Sequence, residues 1–347
     1  GPEAQERWGI GFAPDARRTI LDHLSGQGVA ENDAVDAGLA ARPDDGGPAY
    51  DRFRGRILFP IRDARGRCIG LGGRAMSETA RAKYLNSPET ELFDKGRSLF
   101  NHGPAREAAG QGKPLIVAEG YMDVIALSEA GFEATVAPLG TAITADQLHL
   151  MWRIAPEPII ALDGDKAGLR AAMRVIDLAL PLLEAGKSLR FCLMPEGLDP
   201  DDLVRQQGPA AMQARIDGAL PLVDLLWQRE TEGQNFDSPE RKAALDKRLR
   251  EAIGKIPDPN LRSHYGQAIK DLRWQLFRPK PSAGKTGGWR PKAQPSQPLP
   301  STRASLLAAS QDAVEVRMRE AVILATLIRW PELIERFETQ LERLDPA

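Results

Sequence analysis

Three short apolar runs near the middle of the chain each deliver carboxylates at their far end. The first is Leu115-Ile-Val-Ala-Glu119-Gly-Tyr-Met-Asp123, and the second is Pro158-Ile-Ile-Ala-Leu-Asp163-Gly-Asp165. The third, Leu189-Arg-Phe-Cys-Leu-Met-Pro195, leads into Gly197-Leu-Asp199-Pro-Asp201-Asp202. Asp163 and Asp165 lie two apart, so extended backbone aims both at one side. Gly164 and Gly120 leave room for a ligand beside the acids. Carboxylates this dense repel one another unless a cation sits among them. Mg²⁺ suits such a set, because it takes oxygen ligands and commonly combines one or two carboxylates with waters and phosphates. The residues therefore favour a Mg²⁺ site, with Mn²⁺ as a substitute, over general acid–base work. Each acid also has a plainer role. Asp165 would cap a helix starting at Lys166, Glu119 would be a surface acid, and Asp199-Pro-Asp201-Asp202 would be a turn.

To act together, these acids must sit on neighbouring strands. Short apolar runs separated by helical patterns imply an α/β fold, a mainly parallel sheet with helices on both faces. In such sheets a ligand lies outside the carboxyl ends of the strands. The patterning predicts helices over Asp123–Ala130, Thr144–Arg153, Lys166–Ala185 (shortened or kinked at Pro181) and Pro209–Ala219, with a short strand near Glu133–Pro138.

Upstream, basic residues outnumber acidic ones from Arg52 to Arg106, and the balance reverses from Gln111 to Gly218. A basic module before an acidic one suits a polyanionic substrate bridged by cations. A continuous strand over Tyr50–Ile61 would set Arg52, Arg54 and Arg56 on one face, well matched to phosphates or merely solvated. Asp63–Arg67 reads as a hairpin turn before a strand over Cys68–Leu71. Lys83, Asn86, Lys95 and Arg97 alternate with aromatics, as in single-strand binding surfaces. Gly70-Leu-Gly72-Gly73 does not fit a dinucleotide fingerprint and reads as a bend before Arg74. A helix is expected over Asp15–Leu24.

Downstream, no strand pattern survives from Leu220 to Phe277. Ser238-Pro239 caps a helix over Glu240–Ile256, another follows over Asn260–Phe277, and Trp227 and Trp274 read as core. Six prolines fall in residues 279–300, which read as a linker. Gly284-Lys285-Thr286 is no P-loop, since Pro279 stands where the motif needs glycine. The expected divisions are 1–110 (basic α+β), 111–219 (acidic α/β), 220–278 (helical), 279–300 (linker) and 301–347 (a partial helical interaction domain).

The 347 residues, 42% hydrophobic and 27% charged, suit a multidomain globular chain with no membrane span. Cys68 and Cys192 read as free buried thiols of a reducing cytoplasm, and zinc is not expected. The opening Gly1-Pro2 reads as a cleavage scar, so the sequence is taken as a fragment.

Glu119-Gly-x-x-Asp123 with Asp163-x-Asp165-x-x-Gly168 resembles the Toprim signature. The longer strings YDRFRGRILFPIRDARGR, KYLNSPET, KGRSLF, VAEGYMDVIAL, DGDKAG and DPDDLVR resemble the catalytic core of bacterial DnaG-type primases, over about residues 6–277. The resemblance implies a Toprim-type sheet preceded by a basic α+β subdomain and followed by a helical one. It implies metal-dependent synthesis of RNA primers on single-stranded DNA from NTPs. Glu119, Asp163 and Asp165 would be the main, catalytic metal ligands, with Asp123, Asp199 and Asp201 accessory. Arg52, Arg54, Arg56, Arg74, Lys83, Asn86, Lys95 and Arg97 would receive nucleotide and template. Residues 301–347 would begin a helicase-interaction domain, and a single-stranded-DNA-binding protein is a further partner. Set against the family, the fragment is expected to lack the leading zinc ribbon and the opening of the basic subdomain, so poor initiation is expected. The rival readings are a Toprim nuclease, a topoisomerase-like enzyme and a non-catalytic helicase-binding module. None of the four tyrosines (Tyr50, Tyr84, Tyr121, Tyr265) has a convincing nucleophile context.

Overall fold

The computed structural model describes residues 1–140 and 142–278, together with Val322, Ala325, Thr326, Arg329 and Trp330. Gly1–Arg278 form one unit and Pro279–Ala347 another. In the second unit Val322, Ala325, Thr326 and Arg329 are helical, and Thr326 Oγ1 donates to the Val322 carbonyl at 2.7 Å. The expected linker at 279–300 and most of the segment 301–347 lie outside the described residues.

The first unit opens with α1 (Pro2–Trp8), β1 (Gly11–Ala13), α2 (Thr19–Gly26), α3 (Glu31–Asp36), β2 (Ala40–Ala41) and β3 (Tyr50–Asp51). Helix α2 begins later than the expected Asp15 because its first turn is held from a distance. The buried Asp51 carboxylate accepts from the amides of Ile20 and Leu21, at 2.8 and 3.2 Å. Next come β4 (Arg56–Arg62), β5 (Cys68–Ala75), β6 (Tyr84–Asn86) and α4 (His102–Gly110). Strands β1, β4, β5 and β6 form an antiparallel sheet in the order β1-β4-β5-β6. The β4–β5 hairpin turns where expected, with Asp63 Oδ1 accepting from the amides of Arg65 and Arg67, both at 2.9 Å.

The expected continuous strand over Tyr50–Ile61 is broken. Strand pairing stops at Asp51 and resumes at Arg56, and Gly55 has φ +57°, a left-handed conformation that ends extended backbone. Arg52, Arg54 and Arg56 consequently do not share one strand face.

The central sheet is built from β7 (Ile116–Val117), α5 (Tyr121–Glu129), β8 (Thr135–Val136), α6 (Ala145–Ile154), β9 (Ile159–Gly164), α7 (Lys166–Ala179), β10 (Arg190–Glu196), α8 (Pro200–Gln207), α9 (Pro209–Asp217) and β11 (Leu220–Pro221). Its order is β11-β10-β9-β7-β8, parallel except for the antiparallel edge strand β11. The chain leaves β7 for β8 on one side, then crosses back to β9 on the other. The switch point therefore falls between β7 and β9, where a ligand crevice is expected. Helix α6 opens where expected, behind Thr144, which forms a capping box with Gln147. Helix α7 stops at Ala179, where Pro181 forces a 3-10 turn over Leu180–Leu182.

Helices α10 (Leu222–Thr231), α11 (Pro239–Gly254) and α12 (Pro259–Phe277) complete the unit. On one face of the sheet, Leu148 and Met151 of α6, Val175 and Ile176 of α7 and Leu222, Leu225 and Leu226 of α10 pack on Val117, Ile160 and Phe191. On the other, Val124 and Leu127 of α5, Leu203 of α8 and Met212 of α9 pack on Ile116, Ile159 and Met194. Phe59 and Ile61 of β4, with Phe93 and Phe100, belong to that second core, so the antiparallel sheet and the parallel sheet share one apolar interior. Trp274, expected in the core, is 67% exposed on α12, where the helix leaves that side unpacked. Both cysteines are free, but only Cys192 is buried, because Cys68 opens β5 at its exposed end.

Candidate active site

Sheet order brings the three acidic runs together. Strand β9 lies between β7 and β10, so the residues following β7, ending β9 and following β10 emerge side by side. Glu119, Asp123, Asp163, Asp199 and Asp201 line a cavity of about 320 Å³. Arg74 and Lys83 line the same cavity, with Tyr84, Asn86, Gly120, Tyr121, Met122, Pro138 and Gly140. The cations come from β5 and the approach to β6, the acids from the parallel sheet.

Backbone geometry explains the spacing of the acids and glycines. A Cβ on Gly164 would lie 1.9 Å from the Pro195 carbonyl oxygen, and one on Gly168 would lie 2.3 Å from that of Asp163. Only glycine at these two places lets β10 close beside β9 and α7 start over the strand end. Glu119 Oε1 accepts from the Asp163 amide at 3.2 Å, tying the ends of β7 and β9. Asp123 Oδ2 accepts from the Gly120 amide at 3.0 Å and fixes the first turn of α5.

The acids differ in how much of their oxygen remains free. Asp165 caps α7, its Oδ1 accepting from the amides of Ala167 and Gly168, both at 2.7 Å, and it is not among the residues lining the cavity. Asp199 caps α8 by accepting from the Asp202 amide at 2.6 Å, yet still lines the cavity. Asp163 Oδ1 is buried with no hydrogen-bond partner. Burial, then the charges of Glu119 and Asp199, push the Asp163 carboxyl up to about 7. Burial, then Asp199 and Asp163, push Asp123 up to about 7 as well. An orphaned carboxylate oxygen among mutually repelling acids fits a divalent cation, which would satisfy it and remove the repulsion. Among the described residues, no three or more His, Cys, Asp or Glu side chains stand together so that they could hold a metal ion between them.

The other basic candidates are dispersed. Arg52 donates to the Asn86 carbonyl through Nε and a terminal nitrogen, at 3.1 and 2.8 Å. Arg56 donates to the carbonyls of Gly73, Ala82 and Lys83. Arg54 is exposed, its guanidinium 5.5 Å from the centre of the Tyr50 ring. The three line a separate cavity of about 530 Å³ with Asp15, Tyr50, Ser77 and Thr79. Lys95 and Arg97 lie in a 3-10 turn, where Arg97 pairs with Asp146 at 3.6 Å. Neither lines the acidic cavity. Asn86 does line it, but its side chain is engaged with protein on both ends, donating to the Leu139 carbonyl at 2.8 Å and accepting from Tyr121 at 2.6 Å.

Tyr121, Met122, Pro138 and Gly140 were not among the sequence candidates. Tyr121 had a signal, standing between Glu119 and Asp123, whereas the Pro138–Gly140 loop had none and arrives only through the crossover after β8. Tyr84 also lines the cavity, but burial and the nearby Asp123, Asp199 and Asp201 raise its pKa against the pull of Arg74. A phenol held protonated in this way is poorly suited to nucleophilic attack.

Family comparisons agree with this architecture. The model of the DNA primase catalytic core, N-terminal domain, matches residues 1–106, and the Toprim domain model matches residues 113–192. A crystal structure of a DNA primase domain from Pseudomonas aeruginosa is 41% identical, with a TM-score of 0.74, over 78% of this chain and 84% of that one. The chain belongs to the DnaG primase family. A DnaG catalytic domain solved bound to ssDNA is 39% identical, with a TM-score of 0.70, over 78% of this chain and 87% of that one. The DNA primase of Rickettsia bellii is 36% identical over 97% of this chain and 53% of its own length. For the Escherichia coli K12 DNA primase the figures are 39%, 84% and 51%. This DnaG-family chain thus spans about half the length of the curated relatives it matches. The model of the DnaB-helicase binding domain of primase matches residues 226–272, within α10–α12, and not the segment 301–347 where sequence placed the interaction domain. No described helix is long and apolar enough to cross a membrane.

Proposed function

We propose that this chain carries the nucleotidyl-transfer centre of a DNA primase, which synthesises short RNA primers on single-stranded DNA from NTPs. The observation that carries this reading is the cavity in which Glu119, Asp123, Asp163, Asp199 and Asp201 stand with Arg74 and Lys83. Glu119 and Asp163 would hold Mg²⁺ or Mn²⁺, with Asp123, Asp199 and Asp201 accessory and Asp165 contributing the oxygen its helix cap leaves free. Divalent ions held there would supply charge neutralisation for the phosphoryl oxygens and the departing pyrophosphate as the primer 3′-hydroxyl attacks in line. Arg74 and Lys83 attract and orient the triphosphate from the opposite sheet. Arg54, exposed beside Tyr50, suits the template phosphates, and Lys95 and Arg97 would extend that basic surface. The acids raise one another's affinity for a cation and hold the nucleotide chain away from themselves until it is present.

The reading extends to a cytoplasmic replisome setting, with the replicative helicase and a single-stranded-DNA-binding protein as partners and an RNA primer as product. The boundaries at 110, 219, 278 and 300 remain the proposed division of the chain. Incubation with Mn²⁺, a single-stranded template and labelled NTPs tests the activity. Template-dependent RNA products that vanish in Asp163→Ala are expected. Shortened template without RNA products would replace this reading with a nuclease.

A further inference from the structure

A hydrogen-bonded chain joins the two halves of the cavity. Tyr121 is the first residue of α5, directly after Glu119-Gly120 and two before Asp123. Its hydroxyl donates to Asn86 Oδ1 at 2.6 Å, and Asn86 Nδ2 donates to the Leu139 carbonyl at 2.8 Å. The Asn86 carbonyl in turn accepts from Arg52. Asn86 lies on β6, which pairs with β5 so that Asn86 faces Gly72 and Tyr84 faces Arg74. The same residue therefore connects β5, which carries Arg74, and β6, which Lys83 precedes, to the turn carrying Glu119 and Asp123, and to the loop after β8.

The surrounding packing makes this chain rigid. The Tyr121 ring is only 4% exposed, stacks on Phe59 with centroids 5.4 Å apart, and meets Phe100 edge-on at 4.8 Å. A Cβ on Gly72 would lie 2.5 Å from Tyr121 Cζ, and one on Gly140 would lie 2.7 Å from Asn86 Nδ2. The two backbones thus approach closely enough to clamp both side chains. Both ends of the Asn86 amide are used, so this residue is poorly placed to bind nucleotide directly.

We propose that Tyr121, acting through Asn86, is a positioning residue that sets the gap between the cationic strands and the carboxylates. A triphosphate held by Arg74 and Lys83 is then presented to the acid side at a fixed distance. This rests on the nucleotidyl-transfer reading above, because the gap matters only if one ligand bridges both sides.

The Tyr121→Phe variant keeps the ring and removes only the hydroxyl, so folding is preserved and thermal unfolding checks it. Mn²⁺ affinity is measured with and without ATP, and ATP affinity with and without Mn²⁺, correcting for Mn²⁺–ATP association in solution. In the wild type, each ligand is expected to tighten the other by about ten-fold. In Tyr121→Phe the separate affinities stay within about two-fold while the mutual tightening is lost. Primer extension should lose on the order of ten- to a hundred-fold in kcat, with little change in KM for ATP. Asn86→Ala should reproduce this, and the double variant should be no worse than the poorer single, since both cut one strut. Wild-type coupling and kcat in Tyr121→Phe, or multiplicative losses in the double variant, would overturn the strut alone. So would an activity loss that follows the thermal midpoint and recovers on cooling. A wild-type protein with neither coupling nor extension would overturn the functional reading, and the strut with it.

Discussion

Asp163 and Asp165 sit two residues apart in one motif but are held in opposite ways. Asp165 spends its Oδ1 on two helix amides, whereas Asp163 has a buried oxygen with nothing to accept from. Their neutral variants should therefore diverge in chelator-treated protein. Asp165→Ala loses a helix cap, about 1 kcal/mol, and lowers the thermal midpoint by roughly 2 °C. Asp163→Asn removes a repelled carboxylate and raises the midpoint, while primer extension falls on the order of 100-fold or more. Calorimetry with EDTA, followed by an extension assay with Mn²⁺, reads both.

Asp163 and its neighbour Asp123 give the metal-free protein a pH dependence. Asp123 and Asp163 are raised to about 7, above the ordinary carboxylate value near 4, so the folded state binds protons more tightly than the unfolded chain. Their contribution favours folding most below the unfolded value and is lost as pH rises from about 4 through 7. A divalent cation binds the ionised forms and reverses that loss. The rise in thermal midpoint on adding Mg²⁺ should be larger at pH 8 than at pH 6. An equal shift at the two values would count against Asp123 and Asp163 as the cation's neighbours.

Among elements, the segment between β3 and β4 separates structural arginines from available ones. Arg52 and Arg56 spend their donors on backbone carbonyls of the β5–β6 region, while Arg54 stands exposed beside Tyr50. Arg54→Ala should leave the thermal midpoint unchanged, weaken binding to single-stranded DNA, and reduce the magnitude of the salt slope by about 0.7. Arg52→Ala should lower the midpoint instead, because it frees the carbonyl of the residue that braces Tyr121. Fluorescence titration of a labelled oligonucleotide across salt concentrations, with melting curves, distinguishes them.

For the whole molecule, the shared core makes the two sheets one folding unit. Phe59 and Ile61 of the antiparallel sheet are buried with Val124 and Leu127 of α5, and the α10–α11 side is tied to α7 by Arg229 and Lys255 on Asp177, at 3.2 and 3.1 Å. Residues 1–278 should unfold in one calorimetric transition, and Phe59→Ala should lower it as a whole, at a cost of roughly 3–5 kcal/mol. Two resolved transitions would show that the sheets melt independently. Primer synthesis, as proposed, depends on this coupling, because the cations and acids sit on different sheets.

By itself, the sequence determined the parallel α/β class, the helix start at Thr144, the helix caps at Asp165 and Ser238, and the three acidic strand ends. These follow from periodicity, capping chemistry and turn residues, all of which act within a few positions along the chain. The longer motifs also located the family, since their length leaves little room for coincidence. Tertiary structure alone decided which acids share a cavity and which are spent. Strand order β10-β9-β7 is set by crossovers, and the orphaned Asp163 oxygen depends on neighbours up to dozens of residues away. It also broke the expected arginine strand at Gly55 and engaged both ends of the Asn86 side-chain amide, with the Leu139 carbonyl and the Tyr121 hydroxyl. Local pattern fixes what a residue is able to do, but hydrogen-bond partners supplied across the fold determine which of its atoms are left to do it.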